Sequence, residues 1–204
     1  MQKIRKINKY EVMGMILILV SFSFTLKFIY DLNYDKKKTN KIIEEEFSIN
    51  PIVEENVIEE ENEEIDKNNN YEINLTNDYL GYIELKGYGV KRLIVNGTSN
   101  NILDKGLVGM LNVSSNLDDE KGNIILAGHN TINNFKPLHY MNIGDEITIT
   151  THRKTYNYEI IEKHTINPDD YSYFNQVKDN KILTLITCNY NGKKRLIVVA
   201  KLRG

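Results

Sequence analysis

Between residues 77 and 204 the chain carries eight short strand-like runs, each closed by a turn signal, and almost nothing of helical period. They read YLGYIEL, GVKRLIV, LVGML, NIILAG, DEITITT, KTYNYEIIEKHTI, KILTLITC and KRLIVVAKL. Runs rich in Val, Ile, Thr and Tyr, bounded by Gly, Asn and Asp, are strand signals. Room for helix is confined to short pieces near Asn101–Lys105, Asn134–Met141 and Asp169–Val177. So many strands need their open backbone edges covered, and closing the sheet on itself does this without added elements. The expected fold is therefore mainly β: an eight-stranded barrel with short helices.

Two unlike segments precede it. From Val12 to Tyr30 runs a stretch of about nineteen mostly apolar residues, enough to cross a ~30 Å hydrocarbon layer as one helix. Its single charge, Lys27, lies near an end, where a long side chain can reach the interface. Phe28, Ile29 and Tyr30 are bulky where a cleaved signal needs small residues, which favours a retained signal-anchor over a signal peptide. Lys3, Arg5, Lys6 and Lys9 favour a cytoplasmic N-terminus (1–11), but Lys36, Lys37, Lys38 and Lys41 on the other flank leave the charge rule open. Residues 31–76 are acidic and rich in Glu and Asn, with too little apolar surface to offset chain entropy, so a disordered stalk is expected. A transient amphipathic helix through Ile52–Ile65 is the alternative there. A net charge of -2 argues against a nucleic-acid partner, which would require a marked basic excess or stripe.

The one cysteine, Cys188, rules out a disulfide framework and a CxxC metal site. A lone cysteine is most often a small core residue. Cys188, however, is the last residue of KILTLITC before the polar loop NYNGKK, and a strand end beside a loop is where a fixed side chain can meet substrate. A thiolate nucleophile needs positive charge or a histidine nearby. Lys193, Lys194 and Arg195 follow the loop; alternation sends neighbours to opposite faces, and the fixed guanidinium fork suits an oxyanion, which selects Arg195. Among His129, His139, His152 and His164, His129 stands out because NIILAGHN puts it at a strand end, like Cys188. No HxxxH or HExxH spacing supports a histidine metal site.

These pieces resemble the sortases, membrane-anchored cysteine transpeptidases of Gram-positive surfaces. TLITC followed by Arg195 is similar to the family's TLxTC…R signature, AGHN to its histidine motif with Phe135 and Leu138 downstream, and GTS…L…G from Gly97 to Gly106 to its early strands. The resemblance implies a sortase-type barrel with His129, Cys188 and Arg195 as catalytic residues. It also implies an N-in, single-pass topology in the cell membrane with the catalytic domain outside. Ile186, Thr187 and Asn130 are the expected groove residues. The implied reaction cleaves an LPxTG-like sorting signal of surface proteins between Thr and Gly and passes the acyl group to an amine of a peptidoglycan precursor. The only upstream proline, Pro51, offers no Asp-Pro-aromatic lid of the pilin-polymerising type, and NPDDYSYFNQVKDN is too short for the class B helix, leaving an A-, D- or E-like enzyme. No cofactor is expected; calcium at Asp118, Asp119 and Glu120 is a minor alternative to an exposed turn. The competing reading is a membrane-tethered peptide-binding barrel without turnover.

Overall fold

The computed structural model describes residues 8–47 and 79–203. The N-terminal helix α1 runs Lys9–Phe47, 39 residues. At 1.5 Å per residue it is about 58 Å long, roughly twice a hydrocarbon core. Its first half holds the apolar run and is long and apolar enough to cross a membrane. Helix thus continues through Asp31–Phe47, where a disordered stalk was expected. The reason is compositional: Lys, Glu, Leu and Ile there are good helix formers, and no Gly or Pro interrupts them. The rest of the stalk, including Ile52–Ile65, and the basic residues Lys3, Arg5 and Lys6 lie outside the described residues.

The remaining elements are β1 (Gly81–Leu85), β2 (Val90–Asn96), α2 (Asn100–Asp104), β3 (Val108–Met110), β4 (Gly122–Ala127), β5 (Glu146–Thr150), β6 (Thr155–Ile166), β7 (Lys181–Asn189) and β8 (Lys194–Leu202). Single 3-10 turns occur at Lys136–His139 and Ser172–Phe174. Each of the eight strand runs became one strand, and the three short helical pieces fall inside the three windows expected for them or overlap them. The strands close into a barrel in the order β1-β2-β3-β4-β7-β8-β6-β5. Two neighbouring pairs, β2–β3 and β4–β7, are parallel.

Alternation sets what faces the lumen. Ile124 and Leu126 of β4, Leu183 and Leu185 of β7, and Val198 and Ala200 of β8 join the main core with Ile83, Ile147 and Tyr158. The other parity of the same three strands does not face water either. Ile125, Ile186, Ile197 and Val199 form a second buried cluster on the outer wall, under Tyr173 and Phe174. Asn123 fastens that cover: its Nδ2 donates to the carbonyls of Tyr173 at 3.0 Å and Asn175 at 3.1 Å, while its Oδ1 accepts from Thr184 at 2.8 Å. The barrel therefore has one wall that is apolar on both faces.

Candidate active site

The site is built at the end of that wall. β7 and β8 pair with Cys188 opposite Arg195, and directly opposed residues of an antiparallel pair project on the same face. β4 runs parallel to β7 with Ala127 beside Ile186, and the Gly128 N–H donates to the Ile186 carbonyl at 3.1 Å. His129 follows two residues after Ala127 and Cys188 two residues after Ile186. Ile125, Ala127 and His129 share one parity, as do Thr184, Ile186 and Cys188, and Arg195, Ile197 and Val199. Cys188 and Arg195 thus carry the parity of the outer-wall cluster, and His129 stands two residues past the end of β4.

Each residue is held by its own local structure. Thr187 is 2% exposed, and its hydroxyl donates to the Gly128 carbonyl at 2.8 Å. That corrects its expected place in the groove: its parity is that of Leu183 and Leu185, so it faces inward and ties β7 to the residue before His129. Gly128 has to be glycine, because a Cβ there would meet Asn134 Oδ1 at 2.6 Å and the Phe135 ring at 2.7 Å. Beyond it the chain winds tightly: the His129 carbonyl accepts the N–H of Thr131 at 2.9 Å and of Phe135 at 3.0 Å. Phe135 and Leu138 are fully buried in the main core. The apolar pair that follows the histidine motif is therefore the anchor of its loop. Asn130 is exposed on that loop, and Ile186 lies in the outer-wall cluster beneath the site.

The Cys188–Arg195 hairpin turns through Tyr190 and Asn191 at φ 46° and 55°, followed by Gly192 at 85°. Left-handed backbone at a bulky Tyr is uncommon and marks a tightly specified turn. Arg195 Nη1 donates to the carbonyls of Gly192 at 2.9 Å and Lys194 at 3.0 Å, which fixes the guanidinium across the turn. Among the described residues its Nε and Nη2 make no hydrogen bond, so that edge is open to a substrate oxygen. Cys188 is half-buried with a free thiol. His129 Nε2 meets Asp104 Oδ1 at 2.9 Å, a partner that nothing in the sequence announced, since the two stand 25 residues apart. A shallow pocket of about 420 Å³ on the same face is lined by Ile102, Leu111, Val113, Tyr171 and Phe174; these groove candidates were also missed.

The other histidines are engaged elsewhere. His152 Nε2 lies 3.3 Å from the Tyr79 carbonyl, and His164 pairs with Glu162 at 2.9 Å while packing on Tyr173. His139 sits in the 3-10 turn, its Nε2 buried without a partner among the described residues. The acidic trio considered for calcium does not converge. Asp118 Oδ1 accepts the hydroxyls of Thr151 and Tyr156, both at 2.9 Å, and Asp119 accepts the Asn116 N–H at 2.9 Å. Among the described residues no group of three or more His, Cys, Asp or Glu gathers as metal ligands would.

A model of the sortase domain family matches residues 83–203, and the chain belongs to the sortase family. Among curated proteins it is similar to sortase A of Listeria monocytogenes, 32% identical over 128 residues, and sortase D of Bacillus subtilis, 30% over 132. The matched segments are 60% and 62% of this chain and span only 56% and 65% of those relatives' lengths. Among solved structures it resembles a Clostridium perfringens sortase D5 transpeptidase at 38% identity and TM-score 0.57, covering 62% of this chain and 80% of that one. It also resembles sortase C1 of Streptococcus agalactiae at 27% identity and TM-score 0.59, covering 63% and 69%. Sortases are cysteine transpeptidases; sortases A, C and D all appear among these relatives, so similarity alone does not assign a class.

Proposed function

We propose that this protein is a single-pass membrane sortase whose barrel works outside the cell, with its N-terminus cytoplasmic. It cleaves an LPxTG-like signal at the C-terminus of surface proteins and joins them to an amine of a peptidoglycan precursor. Cys188 thiolate attacks the carbonyl carbon between Thr and Gly, forming the C–S bond. Arg195, through its open Nε–Nη2 edge, stabilises the oxyanion; a positioned donor of this kind contributes about 3–4 kcal/mol. The tetrahedral adduct collapses as the C–N bond breaks, and His129 as imidazolium gives its proton to the leaving glycine amine. The incoming amine then attacks the thioester, His129 takes its proton, and Cys188 leaves as thiolate. Ile186 and Asn130, with the apolar pocket around Leu111 and Phe174, form the peptide groove.

What supports this reading is the pairing of Cys188 with Arg195 across β7 and β8, with His129 two residues past the Ala127–Ile186 pair of β4 and β7. The short β6–β7 connection speaks against the class B type, and the lack of an Asp-Pro-aromatic segment upstream of the barrel against the pilin-polymerising type, which favours an A-, D- or E-like enzyme. The test is the full chain in detergent with a fluorogenic LPxTG peptide and triglycine. Transpeptidation lost in Cys188→Ala and His129→Gln supports the enzyme. Peptide binding without product in the unaltered protein would instead make it a tethered binding barrel.

A further inference from the structure

Helix α2 ends on the residue that meets the histidine. Asp104 Oδ1 lies 2.9 Å from His129 Nε2, and a carboxylate can only accept, so the ring donates from Nε2. The backbone on both sides of Asp104 is fixed. Before it, the Ser99 carbonyl accepts the N–H of Ile102 at 3.0 Å and Leu103 at 3.1 Å; after it, the Gly106 N–H donates to the Leu103 carbonyl at 2.9 Å. Asn134, 1% exposed, then donates its Nδ2 to the Gly106 carbonyl at 3.2 Å. That amide belongs to the histidine loop itself, so the end of α2 and the histidine loop are tied together by a part-buried bond independent of the Asp104 contact.

An imidazole has two ring nitrogens, and the bond made by one decides what the other can do. With Nε2 turned to the carboxylate, Nδ1 is left for the sulfur and the substrate amine. A nucleophile and base with the base oriented by a third group is the general arrangement for an activated thiol or hydroxyl. We propose that Asp104 is the positioning residue of His129: it holds Nε2, and Nδ1 is the nitrogen that hands over and recovers the proton. This rests on the reading of His129 and Cys188 as the reacting pair. Asp104 is 70% exposed, so its effect is that of a solvated ion pair, about two- to fivefold and weakened by salt.

The experiment uses the full chain in detergent, labelled with ¹⁵N-histidine, in wild type, Asp104→Asn and Asp104→Ala. His129 resonances are assigned from their loss in His129→Gln. The expected wild-type spectrum has the neutral ring protonated on Nε2, with His129 cross-peaks displaced in Asp104→Ala and less so in Asp104→Asn. Transpeptidation should show kcat reduced about two- to fivefold in Asp104→Ala with KM unchanged, and 1 M salt should lower wild-type kcat while leaving that variant unmoved. A wild-type ring protonated on Nδ1, or a His129 signal and kcat indifferent to Asp104→Ala, would overturn the proposal. If His129→Gln and Cys188→Ala stay active, the reading beneath it has failed instead.

Discussion

Cys188 and Arg195 face each other across the β7–β8 ladder, and the guanidinium is braced by the turn that joins their strands. Both residues are thus set by one hairpin, whose register cannot slip by a residue without turning Ile186 and Ile197 out of their buried cluster.

Arg195→Lys keeps the charge and loses the fork. One ammonium cannot both brace two carbonyls and present a second edge to substrate. We expect kcat/KM to fall about 10²-fold, with the change in kcat, and thermal stability little altered. Single-turnover acylation of Cys188 measures this directly.

Thr187→Val removes the hydroxyl that meets the Gly128 carbonyl and leaves that buried oxygen unpaired. The expected cost is about 1–3 kcal/mol, read as a lower denaturation midpoint in urea with unchanged slope. Activity should fall as well, because the same bond ties β7 to the residue before His129.

Gly128→Ala forces a methyl against Asn134 and Phe135. Overpacking of this kind costs about 1–3 kcal/mol, and the loop can relieve it only by lifting away from β7. The prediction is a larger loss of kcat than in Thr187→Val, with peptide KM nearly constant.

Lys181, at the far end of β7, is 5% exposed, donates to the Leu117 carbonyl at 2.7 Å and sits 3.5 Å above the Tyr156 ring. Burial pulls its ammonium down to about 8, with Asp118 opposing. Above that pH the folded chain has released a proton that the unfolded chain still binds, so stability rises with pH until the ordinary lysine range near ~10.4. Unfolding in urea should therefore show the wild type gaining stability from about pH 8 to 10, and Lys181→Met showing a smaller slope. Tyr156, pushed up to about 12 chiefly by burial, works in the opposite sense only above about pH 10.

Much of this architecture could be read along the chain because each strand carries its own signal: β-branched runs stopped by Gly or Asn need no tertiary information. The candidate site residues stand out for a related reason, since Cys188 and His129 both close an apolar run. What escaped were properties of pairing. Thr187 reads like any groove residue beside a nucleophile until the parity of Leu183 and Leu185 turns it inward. Asp104 carries no mark of its own and acquires its role only when Asn134 draws α2 onto the histidine loop. The continuation of α1 past Tyr30 was obscured by charge, which lowers burial without lowering helix propensity.

The parallel seam between β4 and β7 joins residues 59 apart in sequence at the Thr187–Gly128 bond. The loop between them must close before the bonds of the seam can form, so this pairing is a slow, non-local step of folding. On the proposed reading of Cys188 and His129, a chain is therefore chemically silent until the cylinder shuts, and incomplete molecules have no means of cutting their neighbours.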